Sequence, residues 1–332
     1  MTSLHKFASA PLLEQIYAAV EQDFTRLNRQ IPRRLTSDVD MVEEIGRYIV
    51  ESGGKRLRPL LVLLAARCCG YQGDTHITLA AVIEFLHTAT LLHDDVIDHS
   101  DLRRGRATVN ALWGNSPSVL VGDFLYSRAF QMMVEIGDMR IMAILSGATN
   151  VIAEGEVMQL DQAGDPGTSE ERYREVIRAK TAMLFQAAAH TAAVLSGRDG
   201  PEGCALKDFG LHLGMAFQLV DDMLDYCGDT AVMGKNVGDD LAEGKATLPL
   251  IFAMRCGCSD DARLIREAIR ERSAARLEEV FNAVRRSGAL DYTHQMATAE
   301  KLKALECIEA LPDNVYRDAL ASLAEFTVSR AM

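Results

Sequence analysis

The chain has 332 residues, of which 48% are hydrophobic and 25% are charged, a balance that is typical of a globular protein and shows no signature of disorder. Its 47 acidic and 35 basic residues give a formal net charge of −12, which argues against a nucleic-acid partner and suits a protein that collects divalent cations. Only 8 prolines and 6% aromatic residues favour long helices over sheets.

Apolar residues recur at intervals of three and four along most of the chain, which predicts helices. The first helix begins after Pro11, a residue that suits a helix start, and Thr168 with Glu171 predicts a capping box for a later one. The short apolar run from Pro59 to Leu64 suits either a strand or a buried helix. The predicted helices cover 12–27, 79–99, 118–133, 141–160, 173–195, 207–226 and 247–254, with amphipathic helices from Asp260 onward.

No internal repeat, low-complexity tract or linker divides the chain, so residues 1–332 are predicted to form a single domain. Helices of this length with short connections pack as a bundle. The predicted fold class is therefore all-α.

The cysteines and the N-terminus indicate the cellular compartment. The 7 cysteines are scattered, and the Cys256-x-Cys258 pair has no second Cys or His pair at ligand spacing, so neither a disulfide framework nor a zinc site is expected. The N-terminus lacks a basic region followed by an apolar run, and no stretch of about twenty apolar residues occurs. We therefore expect a cytoplasmic protein whose membrane contact is at most peripheral.

The first signal of chemistry is the acidic cluster Asp94-Asp95-Val96-Ile97-Asp98. On a helix, Asp94 and Asp98 lie one turn apart on the same face. Their carboxylates repel each other unless a cation lies between them. For this cluster alone, a solvated acidic face is the alternative interpretation.

A second acidic cluster has the same spacing. The segment holds Gln218, Asp221, Asp222 and Asp225, in which Asp221 and Asp225 share a helix face with Gln218 one turn earlier. Two such clusters on otherwise apolar helices cannot stay ionised inside a bundle without cations. Because all the ligands are oxygens, the pattern favours Mg²⁺, which usually shares its coordination with substrate phosphates.

Basic residues near both clusters are candidate phosphate ligands. Gly53 and Gly54 precede Lys55, Arg56 and Arg58, and glycines followed by basic residues form a loop that can wrap an anion. The spacing is not that of a Walker A motif, and each basic pair alone is more often a solvated surface. The other basic candidates are Arg103, Arg104, Lys180, Lys235 and Lys245.

Together these motifs resemble the trans-polyprenyl diphosphate synthases, and within them the bacterial octaprenyl diphosphate synthases. The resemblance covers nearly the whole chain in the right order. It implies a bundle of long helices around a deep central cavity, and a homodimer. The matching segments are Gly54-Lys55-Arg56-Leu57-Arg58-Pro59, His87, the acidic cluster at 94–98, Arg103-Arg104-Gly105, Lys180-Thr181, the segment 217–225, the segment 234–240, Gly244-Lys245 and Thr247-Leu248-Pro249.

The resemblance also implies a mechanism. An allylic diphosphate, bound through Mg²⁺ at Asp94, Asp98 and Asp221, would ionise to an allylic cation. Isopentenyl diphosphate would attack that cation through its double bond, and the released diphosphate would remove the final proton. The ligands implied for isopentenyl diphosphate are Lys55, Arg58, His87 and Arg104. Those implied for the allylic diphosphate are Arg103, Lys180, Thr181, Gln218, Lys235 and Lys245.

Product length and the chain end complete these expectations. In this family a bulky side chain five residues before the first aspartate stops the growing product, and Ala89 stands there with Thr90 next, which implies an open tunnel. Phe85 and Leu86, one turn deeper, are expected to form part of its floor. The expected product is octaprenyl diphosphate for a ubiquinone side chain, with a shorter or longer product as the alternative. Because the last four residues, 329–332, lack the basic ending of many relatives, no active-site role is expected for the C-terminus.

Parts of the pattern also suit four other classes of protein. An inactive regulatory subunit would lack one aspartate cluster, and both are present. A phosphohydrolase built on His93-Asp94 would need further histidine ligands. A di-iron bundle would need a second Glu-x-x-His pair in addition to Glu84…His87. A terpene cyclase would have no use for the isopentenyl-binding cations. Prenyl elongation is therefore the predicted function.

Overall fold

The structure is a computed structural model, and it describes residues 12–227 and 238–330. Residues 12–19 are helical and are followed by a turn at residue 20. The helices that follow are α1 (Glu21–Arg34), α2 (Asp40–Glu51), α3 (Leu57–Cys68), α4 (Thr75–Ile97), α5 (Val109–Trp113), α6 (Asn115–Ile136), α7 (Met139–Gln162), α8 (Glu170–Ile177), α9 (Met183–Leu195), α10 (Pro201–Leu224), α11 (Asp239–Ala242), α12 (Leu248–Cys256), α13 (Ser259–Glu271), α14 (Leu277–Ser287), α15 (Ala289–Ile308) and α16 (Val315–Ser329).

Strands are confined to one small hairpin in the described residues. Strand β1 (Leu102–Arg103) pairs antiparallel with β2 (Arg106–Ala107), directly after the first acidic cluster. The predicted all-α fold class is therefore confirmed, and the hairpin is an element that helical periodicity did not indicate.

Three local predictions differ from the structure. The helix predicted over 12–27 is interrupted at residue 20. The cap of α8 is Ser169, whose hydroxyl accepts from the Arg172 backbone N–H at 3.2 Å, whereas the hydroxyl of the predicted cap Thr168 donates to the Asp165 carbonyl. The helix predicted over 173–195 contains a π-helical turn, Arg178–Ala182, between α8 and α9.

Helix α3 lies at the centre of the fold. Every residue from Leu60 to Ala66 is fully buried, because α3 packs against α4, α9 and α16. A helix that is apolar on every side requires this complete cover. The structure thus assigns the ambiguous run at 59–64 to a buried helix.

The π-turn, Arg178–Ala182, is packed tightly between α7 and α10. A Cβ atom on Gly155 of α7 would lie 2.8 Å from the Cβ of Ala179 and 2.9 Å from the backbone N of Lys180. On the other side, a Cβ atom on Gly214 of α10 would lie 2.5 Å from the Cα of Ala182. The two glycines therefore allow both helices to touch the π-turn backbone.

Two helices are long and apolar enough, by length and composition, to cross a membrane. These are α4 and α7, whose apolar stretches are 61% and 33% buried inside the fold. Most of the α4 stretch is covered by neighbouring helices, which is what a core helix of a globular protein shows. The α7 stretch has a largely exposed face that carries Val157 and Leu160.

Candidate active site

A cavity of about 380 Å³ lies where α4 and α10 end. Asp94 and Asp98 line it from the α4 side, and Asp221 and Asp222 line it from the α10 side. Carboxylates at the C-terminal ends of helices face the negative end of the helix dipole, which is unfavourable unless cations are close. The structure thus brings Asp94, Asp98, Asp221 and Asp222 to one cavity that attracts positive charge, whereas Asp225, predicted to share the face of Asp221, is fully buried and does not line it.

Lys180 lies beside the first cluster. Its Nζ is 3.5 Å from Asp94 Oδ2 and 2.6 Å from Glu156 Oε2, and it donates to Gln159 Oε1 at 2.9 Å. Burial alone would lower the pKa of Lys180, but Asp94 and Glu156 outweigh it, so the pKa is raised. The lysine is therefore charged and held toward the cavity.

Lys245 occupies the equivalent place beside Asp98. Its Nζ lies 3.2 Å from Asp98 Oδ2 and also pairs with Glu243. Burial would lower the pKa of Lys245, but Asp98 and then Glu243 raise it. Burial raises the pKa of both Glu156 and Glu243 to about 7, although the neighbouring lysines oppose the shift. The two lysines are among the phosphate ligands predicted from the sequence, whereas neither glutamate was predicted.

Arg103 is held in the cavity wall by Asp95. Its Nε and Nη2 lie 2.8 Å and 2.6 Å from Asp95 Oδ1. Asp95 is buried, and burial raises its pKa against the opposing effect of Arg103. The middle aspartate of the first cluster therefore orients an arginine, whereas Asp94 and Asp98 face the open cavity.

Arg58 and His87 line the same cavity as a hydrogen-bonded pair. Arg58 Nη1 lies 3.1 Å from His87 Nε2, so the imidazole accepts a hydrogen bond. Burial lowers the pKa of Arg58 to about 10, and burial together with Arg58 lowers the pKa of His87 well below its ordinary value. At neutral pH, Arg58 is therefore charged and His87 is neutral.

The glycine-rich loop before α3 lets a second arginine approach. Arg104, which lines the cavity, donates to the Gly53 carbonyl and fills the space beside Gly54 where a side chain would lie. Gly54 has φ of +138°, a backbone conformation that favours glycine. Lys55 follows directly, and its Nζ lies 5.2 Å from the centre of the Phe326 ring.

Arg330, near the end of the chain, also lies at the site. Its Nη2 donates to the Phe217 carbonyl at 2.6 Å, and its guanidinium lies 3.9 Å from the centre of the Phe217 ring. Its Nη1 is 4.0 Å from Asp221 Oδ1. Arg330 therefore lies beside Phe217 and Asp221, although no active-site role was expected for the C-terminus.

A hydrogen-bonded chain runs behind the second cluster. Tyr173 Oη donates to Asp222 Oδ2 at 2.5 Å, and Gln218 Nε2 donates to Asp222 Oδ1 at 2.6 Å. Thr181 Oγ1 donates to Gln218 Oε1 at 2.8 Å. Burial and the nearby Asp240 raise the pKa of Asp222, and the bonds from Tyr173 and Gln218 act in the opposite direction. Tyr173 is a further site residue that the sequence analysis did not select.

The residues expected to control product length lie on α4. Thr90 lines the main cavity, and Ala89 is fully buried beside it. Phe85 and Leu86 are buried too, but neither is among the residues that line this cavity. Phe85 instead borders a second cavity of about 80 Å³. Lys235 lies outside the described residues.

Local contacts bear on the di-iron alternative and on the Cys256-x-Cys258 pair. Glu84 lies 3.8 Å from Arg56 Nε, and His87 contacts Arg58, so this pair faces arginines as a di-iron ligand pair would not. Cys258 caps α13, where its Sγ accepts from the Asp261 backbone N–H at 3.4 Å.

The donor set at the cavity fits a hard divalent cation. Asp94, Asp98 and Asp221 offer only carboxylate oxygens, the ligands that Mg²⁺ and Ca²⁺ prefer. Within residues 12–227 and 238–330, no group of three or more His, Cys, Asp or Glu side chains forms a metal cage. Mg²⁺ is usually bound through one or two carboxylates, waters and substrate phosphates, so a cation shared with a diphosphate fits these residues.

Known proteins resemble the chain over nearly its whole length. It matches the polyprenyl synthetase family over residues 39–285. It is 51% identical to the octaprenyl diphosphate synthase of Escherichia coli (strain K12) over 319 residues, which cover 96% of this chain and 99% of that one. It is 47% identical to the all-trans-nonaprenyl-diphosphate synthase (geranyl-diphosphate specific) of Rhodobacter capsulatus over 319 residues, or 96% and 98% of the two chains.

A solved structure has nearly the same fold as this chain. The crystal structure of a polyprenyl synthase from Caulobacter crescentus CB15, complexed with calcium and isoprenyl diphosphate, has a TM-score of 0.93 and 46% identity. The match covers 96% of this chain and 98% of that chain. The resemblance inferred from the motifs is thus confirmed. Because one family accounts both for the sequence from residue 39 to 285 and for the arrangement of the helices, the chain belongs to the polyprenyl synthetase family of prenyltransferases.

Proposed function

We propose that the protein elongates an allylic diphosphate with isopentenyl diphosphate to a long, octaprenyl-sized product that supplies a ubiquinone side chain. The observation that carries the proposal is the common cavity. Two aspartate pairs and two acid-paired lysines face it together with several arginines, and its walls continue into apolar side chains. A cavity with a charged mouth and an apolar interior suits a substrate with a diphosphate head and a hydrocarbon tail.

The charged end of the cavity would hold the allylic diphosphate. Asp94, Asp98 and Asp221 would bind Mg²⁺, which neutralises the diphosphate and stabilises the charge on the leaving group. Lys180, Lys245 and Arg103 donate hydrogen bonds to the same oxygens, with Lys235 as a further candidate. Negative charge on these oxygens grows as the carbon–oxygen bond breaks, so donors that are already in place lower the barrier. The calcium and isoprenyl diphosphate of the Caulobacter relative support such a shared site.

The second diphosphate, that of isopentenyl diphosphate, would bind at the arginine cluster. Arg58 and Arg104 offer fixed guanidinium groups, and neutral His87 orients Arg58 through its hydrogen bond. Lys55, just before α3, and Arg330, just after α16, lie nearby, where each packs on an aromatic ring. The aromatic ring of Phe217 lies 3.9 Å from Arg330 and 5.8 Å from Arg58, so it holds two cations that would otherwise repel each other.

The product would grow along the apolar wall. The small side chains of Ala89 and Thr90 on α4 would leave space below the first cluster, where Thr90 lines the cavity and Ala89 is buried beside it. This part of the cavity excludes water from the hydrocarbon and from the reactive cation. Other apolar wall residues include Leu91, Ile152, Val176, Ile177 and Leu184.

The assembly is proposed to be a homodimer in the cytoplasm, with at most peripheral membrane contact for product release. Large apolar side chains are exposed on the outer faces of the consecutive helices α6 and α7, and a second copy of the chain would cover them. These side chains are Leu120, Val134, Met139, Val157 and Leu160.

The test is incubation of the purified protein with farnesyl diphosphate, labelled isopentenyl diphosphate and Mg²⁺, followed by separation of products by length. We expect a ladder that ends near about C40, since eight five-carbon units make an octaprenyl chain. Asp94→Asn should abolish incorporation, whereas Asp101→Asn, at an exposed acid on the adjoining segment, should retain it. A ladder with another end point would correct the product length.

The second candidate is a regulatory subunit without activity of its own. Both aspartate clusters are intact, which argues against it. If the folded, monodisperse protein incorporates no isopentenyl unit, the synthase proposal is overturned and a catalytic partner becomes the next target.

A further inference from the structure

Tyr173 is the last member of the chain of side chains behind the second aspartate cluster. The tyrosine and Asp222 are both almost fully buried, with 5% and 3% of their surfaces exposed. Their bond of 2.5 Å crosses from α8 to α10. A buried contact of this kind restricts both partners, because neither can turn to water without leaving the other unpaired.

The contacts determine how the amide of Gln218 is turned. Asp222 accepts from Tyr173 at one oxygen and from Gln218 Nε2 at the other. The amide nitrogen of Gln218 is directed toward Asp222, to which it donates at 2.6 Å. The amide oxygen is then directed at Thr181, and its partner there has to be a donor.

Thr181 therefore has its hydroxyl proton committed to Gln218. Thr181 and Gln218 both line the main cavity, and Thr181 follows Lys180 in the π-turn. With the proton directed away, the oxygen lone pairs of Thr181 are left for whatever lies in the cavity. An oxygen lone pair in a water-poor cavity stabilises positive charge that develops on a nearby carbon.

We propose that Tyr173 is a positioning residue of the reaction: through Asp222 it fixes the Gln218 amide, and so turns the Thr181 oxygen toward the allylic cation. The inference rests on the proposed function, because an allylic cation forms only if the protein ionises an allylic diphosphate. Tyr173 lines the same cavity, but its proposed role is exerted through Asp222 and Gln218 and not on a reacting atom.

The first variant is Tyr173→Phe, which keeps the ring and its packing but removes the hydroxyl. We expect kcat to fall about tenfold while both substrate KM values change by less than about twofold. Tyr292→Phe is the matched control, because its hydroxyl lies 3.0 Å from Glu170 on the same helix α8 without lining the cavity. The control should keep the wild-type kcat.

Two unreactive analogues separate positioning from general damage to the site. One is an allylic diphosphate analogue that carries a positively charged ammonium nitrogen near the position of the reacting carbon. The other is the thiolodiphosphate of the allylic substrate, whose hydrocarbon tail carries no charge. Tyr173→Phe should weaken calorimetric binding of the ammonium analogue about tenfold and leave the thiolodiphosphate unchanged. Equal loss for both analogues, or no loss for either, overturns the proposal.

A double-mutant cycle provides the second check. Thr181→Val removes the hydroxyl at nearly constant size, and adding Tyr173→Phe to it should cause no further loss of ammonium-analogue binding. Additive losses mean that Tyr173 does not act through Thr181 and contradict the proposal. An inactive wild-type protein would instead overturn the proposed function, and the binding measurements would still report on the hydrogen-bonded chain.

Discussion

At the scale of single residues, the site is organised by pairs of opposite charge. Lys180 and Lys245 each contact one aspartate of the first cluster and one glutamate from another segment. A lysine has a long, flexible stem, so two acidic partners restrict it before a substrate arrives. Glu156 and Gln159 both contact Lys180 and lie three residues apart on one face of α7. This spacing is visible in the sequence, but the sequence does not indicate that the face lies against Lys180.

Arg330 gives the first prediction at this scale. Arg330→Met keeps the length of the side chain but removes the charge beside Phe217 and Asp221. The KM for isopentenyl diphosphate should rise roughly tenfold, about 1.4 kcal/mol of lost binding, with the allylic KM nearly unchanged. Steady-state kinetics with each substrate varied in turn measure both values.

The control for this variant is an arginine of α16, the helix that directly precedes Arg330. Arg317→Met removes an arginine of α16 that pairs with Asp313 and does not line the cavity. It should leave both KM values at the wild-type level. If Arg330→Met also leaves them there, the last helix contributes no ligand to the site.

At the scale of elements, the π-turn decides which side chains face the cavity. A π-turn holds one more residue than an α-helical turn, so it changes the direction of the residues around it. Lys180 and Thr181 are neighbours in sequence, yet both line the cavity. Apolar periodicity predicted one continuous helix over 173–195, because the extra residue depends on contacts with α7 and α10 that are remote in sequence.

Gly155→Ala tests this close packing. The added Cβ would lie 2.8 Å from the Ala179 Cβ, so α7 and the π-turn would have to separate and Lys180 would shift from Asp94. Overpacking of this kind destabilises a protein by about 1–3 kcal/mol. We expect a lower Tm in calorimetry and a several-fold fall in kcat. Gly200→Ala, where the new Cβ has open space, is the control and should change neither.

Helix α4 carries the prediction on product length. Ala89→Phe should shorten the product, because the ring fills the tunnel below the acids. Ala89 is fully buried, so its enlargement is expected to destabilise the fold by about 1–3 kcal/mol as well. Thr90→Phe places a ring directly in the cavity and provides a second variant, with Thr90→Val as a control of nearly unchanged size. Product ladders of unchanged length in both phenylalanine variants would remove this account of length control.

At the scale of the whole molecule, a buried charge cluster joins three helices away from the cavity. Glu300 on α15 lies 2.6 Å from Arg174 on α8 and 2.7 Å from His212 on α10. Lys303 lies 3.1 Å from the same carboxylate. Although burial acts to raise the pKa of Glu300, the bonds from His212 and Lys303 outweigh it and lower the pKa to about 2. The cluster ties α8, which carries Tyr173, to the core.

Glu300→Gln gives a pH-dependent prediction. The pKa of Glu300 is lower in the folded than in the unfolded chain, so its stabilisation is complete above the ordinary value of 4.5 and is lost as the pH falls from 4.5 toward 2. At pH 7 the variant should unfold more easily by about 2 kcal/mol. Below pH 4.5 that difference should shrink by about 1.4 kcal/mol per pH unit.

Urea unfolding at a series of pH values measures the difference. Glu306→Gln, at an exposed glutamate of the same helix, should follow the wild-type protein throughout. A constant difference between Glu300→Gln and wild type from pH 7 to 3.5 would show that the charge of Glu300 does not support the fold.

The sequence by itself indicated the all-α class and most of the charged residues at the cavity, and its motifs carried the resemblance to the family. These depend on local spacing: apolar residues at helical intervals predict the helices, and Asp94 and Asp98 one turn apart predict a cation site before any contact is known. The buried helix α3 was left ambiguous, because a run that is apolar on every side carries no periodicity.

Only the tertiary structure decided which distant residues complete the site. Arg330 reaches Asp221 across more than one hundred residues, Tyr173 reaches Asp222 across forty-nine, and Glu156 reaches Lys180 across twenty-four. Contacts of this kind depend on how whole helices pack against one another, and packing depends on shape along entire faces, as at Gly155 and Gly214. Spacing along the chain does not encode those distances, which is why the sequence identified the chemistry and the fold assigned its supporting residues.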